Sequence, residues 1–143
     1  MRRPRKKAFR LTGERKTLLE HLVRYRYLRT SHFYDLLGAG PEISDRAVRR
    51  QLRDFWTHGH LRRRVVVSDL TCEPLPRYEH VYWLSKAGVL LARDCGICDE
   101  EFSGAARTSP RALAHDVGIT DFHLRVERFA RARAVLLHCS STA

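Results

Sequence analysis

Residues 44–64, SDRAVRRQLRDFWTHGHLRRR, constrain the fold more than any other stretch. Val48, Leu52, Phe55 and Trp56 recur at helical spacing and form an apolar stripe. At about 100° per residue, Arg46, Arg49, Arg50, Arg53 and Thr57 fall on the other side. Ser44 is placed to cap this helix, Asp45 suits the positive end of its dipole, and Gly59 is a natural stop. Arg62, Arg63 and Arg64 follow within a turn of that stop. A helix of this kind buries one side against its neighbours. Its other side offers guanidinium groups to an extended anion, and the major groove of duplex DNA admits a single helix. A merely solvated basic face is the alternative, and the rest of the chain bears on the choice.

The 143 residues suffice for one domain, or one domain with an accessory helix. Lys and Arg number 27 against 16 acidic residues, a formal charge of +11 that favours nucleic acid or an acidic membrane surface as partner. No apolar run approaches the ~20 residues that span a bilayer. The start, MRRPRKKAFR, is basic but leads into no apolar h-region, so a cytoplasmic protein is expected rather than a secreted one. Residues 1–10 read as a disordered basic arm whose Arg2, Arg3, Arg5, Lys6 and Lys7 can track phosphates or enter a minor groove.

Thr12 can cap a first helix running to about Tyr25, with Leu18, Leu19, Leu22 and Val23 inward. Thr30 or Ser31 caps a short second helix with Phe33, Leu36 and Leu37 inward, ended by Gly38 and the loop Gly38–Pro41. After the third helix, Leu61–Ser68 and Tyr78–Leu84 read as two strands joined by a loop with Pro74 and Pro76. Ser85 caps a fourth helix with Ala87, Leu90 and Leu91 inward. A last helix starts near Pro110. Its Ile119, Phe122, Val126 and Phe129 alternate three- and four-residue steps, a stripe that either seals the domain or pairs with its copy in a homodimer.

Helix, helix, helix, strand, strand, helix is the order of a winged helix-turn-helix. The expected fold is mainly α with a small β-hairpin: a basic arm at 1–10, a winged helix-turn-helix at 11–94, a connector at 95–109 and a C-terminal helix at 110–143. Ser44, Arg46, Arg49, Arg50 and Arg53 then border the major groove, where a planar guanidinium can bond guanine O6 and N7 together. Thr57 is expected near the backbone or unengaged. Arg62, Arg63 and Arg64 lie at the base of the wing and Arg77 on its return, with alternation sending Arg63 to the face opposite Arg62 and Arg64.

Four cysteines stand at 72, 95, 98 and 139. Cys95-Gly-Ile-Cys98 has the spacing of a metal knuckle or redox pair, but no second tight Cys/His pair completes a zinc site, so reduced thiols and no metal or other cofactor are expected. His115 with Asp116 and Asp121 superficially suggests acid–base chemistry around a turn. No Gly-rich phosphate loop, HExxH or nucleophile motif accompanies it, and no catalytic residue is assigned. Asp121 is expected to cap or charge the first turn of the last helix.

The blocks LTGERKTLLEHLVRYRYLRTSHFYDLL, SDRAVRRQLRDFWTHGHLRRR, VYWLSKAGVLLA and HDVGITDF together resemble the replication-relaxation family over about residues 10–130. The first three blocks are shared with many winged-helix regulators. The fourth, with His115, Val117, Ile119 and Asp121, narrows the choice. The resemblance implies an N-terminal winged helix, with recognition on Ser44–Thr57 and a wing at Leu61–Leu84, in plasmid replication control. Relatives of this type commonly continue into a strand-rich region past the fourth block, whereas this sequence ends at Ala143; nothing belonging to that region is carried over. The expected function is a double-stranded DNA-binding regulator of transcription or replication on a plasmid, phage or other mobile element. Two alternatives stand beside it. One is a protein-interaction module using the aromatic strand Tyr78–Trp83 and the last helix, and the other a metal-responsive regulator using Cys95 and Cys98.

Overall fold

Helix caps set the frame of the computed structural model, which describes residues 9–37, 44–68, 77–104 and 109–141. The Thr12 hydroxyl accepts from the Arg15 amide and starts α1, Gly13–Tyr25. Ser44 does the same for Ala47 at α3, Asp45–Thr57, and Ser85 for Gly88 at α4, Lys86–Asp94. Helix α2 spans Thr30–Leu37 and α5 spans Pro110–Ser141. Gly59 and Gly96, both with positive φ, end α3 and α4 in the same way. His60 and Ile97 donate back to the carbonyls of Phe55 and Ala92, while the glycine amides donate to Trp56 and Arg93. This is the Schellman pattern, which a residue with a Cβ adopts only at a cost.

Three strands form one antiparallel sheet in the order β1-β3-β2. Strand β2, Leu61–Ser68, pairs with β3, Arg77–Leu84, from Leu61 opposite Leu84 out to Ser68 opposite Arg77. The two-residue β1, Leu28–Arg29, pairs with Tyr82 and Val81 on the other edge of β3. It lies where the sequence suggested only a link between helices. A turn precedes it at Arg26, whose φ of 64° with the Tyr27 amide donating to the Tyr25 carbonyl reverses the chain within three residues.

From Val81 to Leu84 strand β3 is buried on both faces, which is why its apolar run does not alternate. Tyr82 and Leu84 enter a core with Leu18, Leu19, Leu22, Phe33, Val48, Leu52 and Phe55 from the first three helices. Val81 and Trp83 point the other way and meet Tyr27, Leu113 and Val117 of α5. Each such fully buried side chain contributes about 1.5–3 kcal/mol. The aromatic strand expected as an alternative docking surface is therefore interior from Val81 to Leu84.

Two inward faces differ from expectation. In α4 it is Gly88, Val89 and Ala92 that are buried, while Ala87 and Leu90 face out and Leu91 is half-buried. Gly88 sets this phase: a Cβ there would lie 2.0 Å from the His60 carbonyl oxygen. In α5 the domain-facing side carries Leu113, Val117 and Thr120, and the Ile119, Phe122, Val126 and Phe129 stripe is exposed. The domain is sealed by the other face of that helix. The basic residues Arg2, Arg3, Arg5, Lys6 and Lys7, the loop Gly38–Pro41 and Cys72 lie outside the described residues.

Candidate nucleic-acid interface

The outer face of α3 follows from how its inner face is held. Val48, Leu52 and Phe55 are fully buried, so the residues one step round the helix are driven outward. Arg46, Arg49, Arg50 and Arg53 are all exposed. With Ser44 and Ala47 they line an open recess of about 630 Å³. The acidic residue in the helix middle, Asp54, is turned away from them. It accepts from Arg15 of α1 at 2.9 Å, and Arg15 also donates to Gln51 at 2.6 Å. Among the described residues no carboxylate pairs with the four outward arginines. Arg49 stands near enough to Tyr34 to oppose the upward push that burial gives that phenol's pKa.

The wing splits the three consecutive arginines. Arg63 lies opposite Tyr82 and so shares the sheet face that packs on the helices, while Arg62 and Arg64 pair with Trp83 and Val81 on the other face. The Arg63 guanidinium sits 3.6 Å over the Trp56 ring. Trp56, expected in the buried stripe of α3, is 41% exposed. It lies 100° round the helix from Phe55, at the edge of the stripe, and the guanidinium covers it in place of the core. The contact extends the cationic row of α3 onto the hairpin. Arg62 and Arg64 are exposed, and Arg77 pairs with Ser68 at the outer end of the hairpin. Thr57 closes α3 and is exposed.

Phe9, placed in the basic arm by composition, is packed. Its ring lies 4.9 Å from Phe55 and 4.7 Å from His60, with the Arg15 guanidinium 4.5 Å above it. Phe9, the first described residue, thus sits beside the C-terminal end of α3.

A second polar cluster ties α5 to this unit. Asp121 lies about a third of the way along α5, not in its first turn, and His115 and Asp116 are helical as well. The Asp121 carboxylate accepts from Arg29 and from Nε2 of His32. Nδ1 of His32 accepts the Arg29 amide at 3.0 Å, which leaves Nε2 to carry the proton donated to Asp121. Burial alone would raise the Asp121 carboxyl, but the His32 hydrogen bond and the Arg29 charge outweigh it and hold its pKa below the usual value. Glu79 of β3 lies 3.7 Å from Arg29 and accepts from Ser31. Nothing in sequence spacing reveals this cluster, because His32 and Asp121 stand 89 residues apart.

The profile of the replication-relaxation family matches residues 19–141, from within α1 to the end of α5. The chain belongs to the replication-relaxation family. No curated protein and no solved structure matches it. The match takes in both α3 and the α5 block HDVGITDF, so in this replication-relaxation chain the arginine face and the Asp121 tie lie within one family unit. The Cys-Gly-Ile-Cys motif has a local explanation in the same unit. Gly96 supplies the positive φ that ends α4, and Ile97 packs back on the core. Cys95 and Cys98 flank that stop as free thiols, and burial raises the Cys98 pKa. Among the described residues no group of three or more His, Cys, Asp or Glu could hold a metal, and no helix is long and apolar enough to cross a membrane.

Proposed function

We propose that this replication-relaxation protein binds double-stranded DNA through the outer face of α3 and acts in the control of replication or transcription on a mobile element. One observation carries the reading: Arg46, Arg49, Arg50 and Arg53 stand exposed on one helix face, and none of them is in an ion pair with a carboxylate of the described residues, although Asp45 stands at the start of the same helix. Counter-ions or phosphates must balance such a face, and a duplex backbone offers a dense row of phosphates. The family association with replication supports the biological setting. In this reading α3 lies in the major groove, Arg63 on its Trp56 platform meets the adjacent backbone, and the basic residues Arg2, Arg3, Arg5, Lys6 and Lys7 add further phosphate contacts.

The test is equilibrium binding of the full chain to a fluorescent random-sequence duplex at low salt. Wild type is expected to bind duplex. Arg49→Ala/Arg50→Ala/Arg53→Ala, all at exposed positions, is expected to keep its helical circular dichroism and lose most of the affinity. Undiminished duplex binding by the triple variant overturns the reading.

A further inference from the structure

One guanidinium of α1 is engaged on every side. Arg15 donates from Nε to the Gln51 side chain at 2.6 Å, from one terminal nitrogen to the Arg10 carbonyl at 2.9 Å and from the other to Asp54 at 2.9 Å. Its face lies 4.5 Å from the centre of the Phe9 ring, and its side chain is 15% exposed. A planar fork held at all its nitrogens and stacked on a ring keeps one orientation. Gln51 and Asp54 belong to α3, the helix that carries the arginine row. Asp54 stands one turn after Arg50, about 40° round the helix, the i,i+4 relation in which opposite charges pair on a helix surface. In the structure it pairs with Arg15 instead, and Arg50 is exposed and in no ion pair with a carboxylate of the described residues. The preference has a physical cause. A pair with Arg50 on the open surface is screened by water and must order a long side chain. The pair with Arg15 is better shielded, and its guanidinium is already ordered by Gln51, Arg10 and Phe9.

We propose that Arg15 is a positioning residue for duplex binding: by holding Asp54 against α1 it keeps that carboxylate off Arg50 and leaves the Arg50 guanidinium to a phosphate or a base edge. The inference rests on the DNA reading above. Without Arg15, Asp54 is released to turn one helix step toward Arg50. That neutralises one cation of the row and sets a negative charge beside the phosphates. Arg15 acts through Asp54, from its place between α1 and α3, and makes no contact with the duplex itself.

The experiment is a double-variant cycle on the affinity of the full chain for a fluorescent random-sequence duplex at low salt. Arg15→Met is expected to bind about fivefold more weakly than wild type. Its slope of log affinity against log salt should be shallower by about 0.9, the share of one phosphate contact, although Arg15 meets no phosphate. Asp54→Asn alone is expected to change affinity by less than about twofold, because Arg15 already occupies that carboxylate. Added to Arg15→Met, the same substitution is expected to restore most of the affinity and the slope. A mere loss of positive charge or of stability predicts one fold-change for Asp54→Asn in both backgrounds. Circular dichroism melts establish that each variant is folded at the assay temperature. Arg15→Gln, which keeps a donor for the Arg10 carbonyl, carries the same cycle should Arg15→Met melt below it. Equal affinity of wild type and the Arg15 variant, or the same effect of Asp54→Asn in both backgrounds, overturns the role of Arg15 and leaves the DNA reading standing. A wild type that binds no duplex overturns that reading, and this role with it.

Discussion

The carboxylate of Asp121, about a third of the way along α5, accepts the Nε2 proton of His32, 89 residues earlier, while the same ring's Nδ1 accepts the Arg29 amide. One imidazole thus orders a sheet edge and a helix together. Arg29 is 8% exposed and relies on Asp121 and Glu79 for its balance of charge.

Asp121→Asn keeps the shape and removes the charge. Leaving a buried guanidinium short of one partner costs about 3 kcal/mol, tempered by Glu79. Urea unfolding followed by circular dichroism is expected to show a correspondingly lower midpoint for the variant.

The pH dependence follows from the same group. The folded pKa of Asp121 lies below its ordinary value of 3.8, so its stabilisation is fully present above that value. It disappears as pH falls through the folded pKa. Wild type should therefore lose stability more steeply than Asp121→Asn below about pH 4. Thermal melts of both chains between pH 7 and pH 3 check the difference in slope.

Gly88→Ala pushes a methyl group to 2.0 Å from the His60 carbonyl, a backbone atom that cannot swing aside. The expected loss is about 3 kcal/mol or more, even though alanine is the better helix former. A melting temperature equal to that of wild type would show that α4 sits further from the β2 turn.

Leu113→Ala and Leu90→Ala form a matched pair. Leu113 is fully buried under the sheet, and its truncation should cost about 2–5 kcal/mol. Leu90 is 56% exposed, and its truncation should stay within about 0.5 kcal/mol of wild type. Unfolding free energies of the two variants separate the observed helix phases from the expected ones.

Much of the architecture is legible because capping and stop residues announce themselves locally. Thr12, Ser44, Ser85, Gly59 and the β-branched run Val65–Val67 place three helices and the hairpin correctly. The misreadings share a cause, which is that hydropathy marks a face but not its neighbour. In α4 the buried face is built on Gly88 and Ala92, which carry little apolar signal, while Leu90 carries much and faces water. In α5 the more apolar strip faces outward, and the inner side is held partly by Thr120 and Asp121. Strand β1 is two residues long, too short for any period to register. Within the candidate interface the arginine row was readable from spacing alone. The Arg63 platform on Trp56 was not, because it joins two elements by a sheet register that only the fold supplies.

The most direct measurement is the salt dependence of duplex affinity for wild type and for Arg49→Ala/Arg50→Ala/Arg53→Ala. If about six phosphates are neutralised, log affinity falls against log salt with a slope of about −5, and removal of three of the contacts brings it to roughly −3. Identical slopes for the two proteins, or no duplex binding by wild type at low salt, would contradict a DNA-reading role for the α3 arginines.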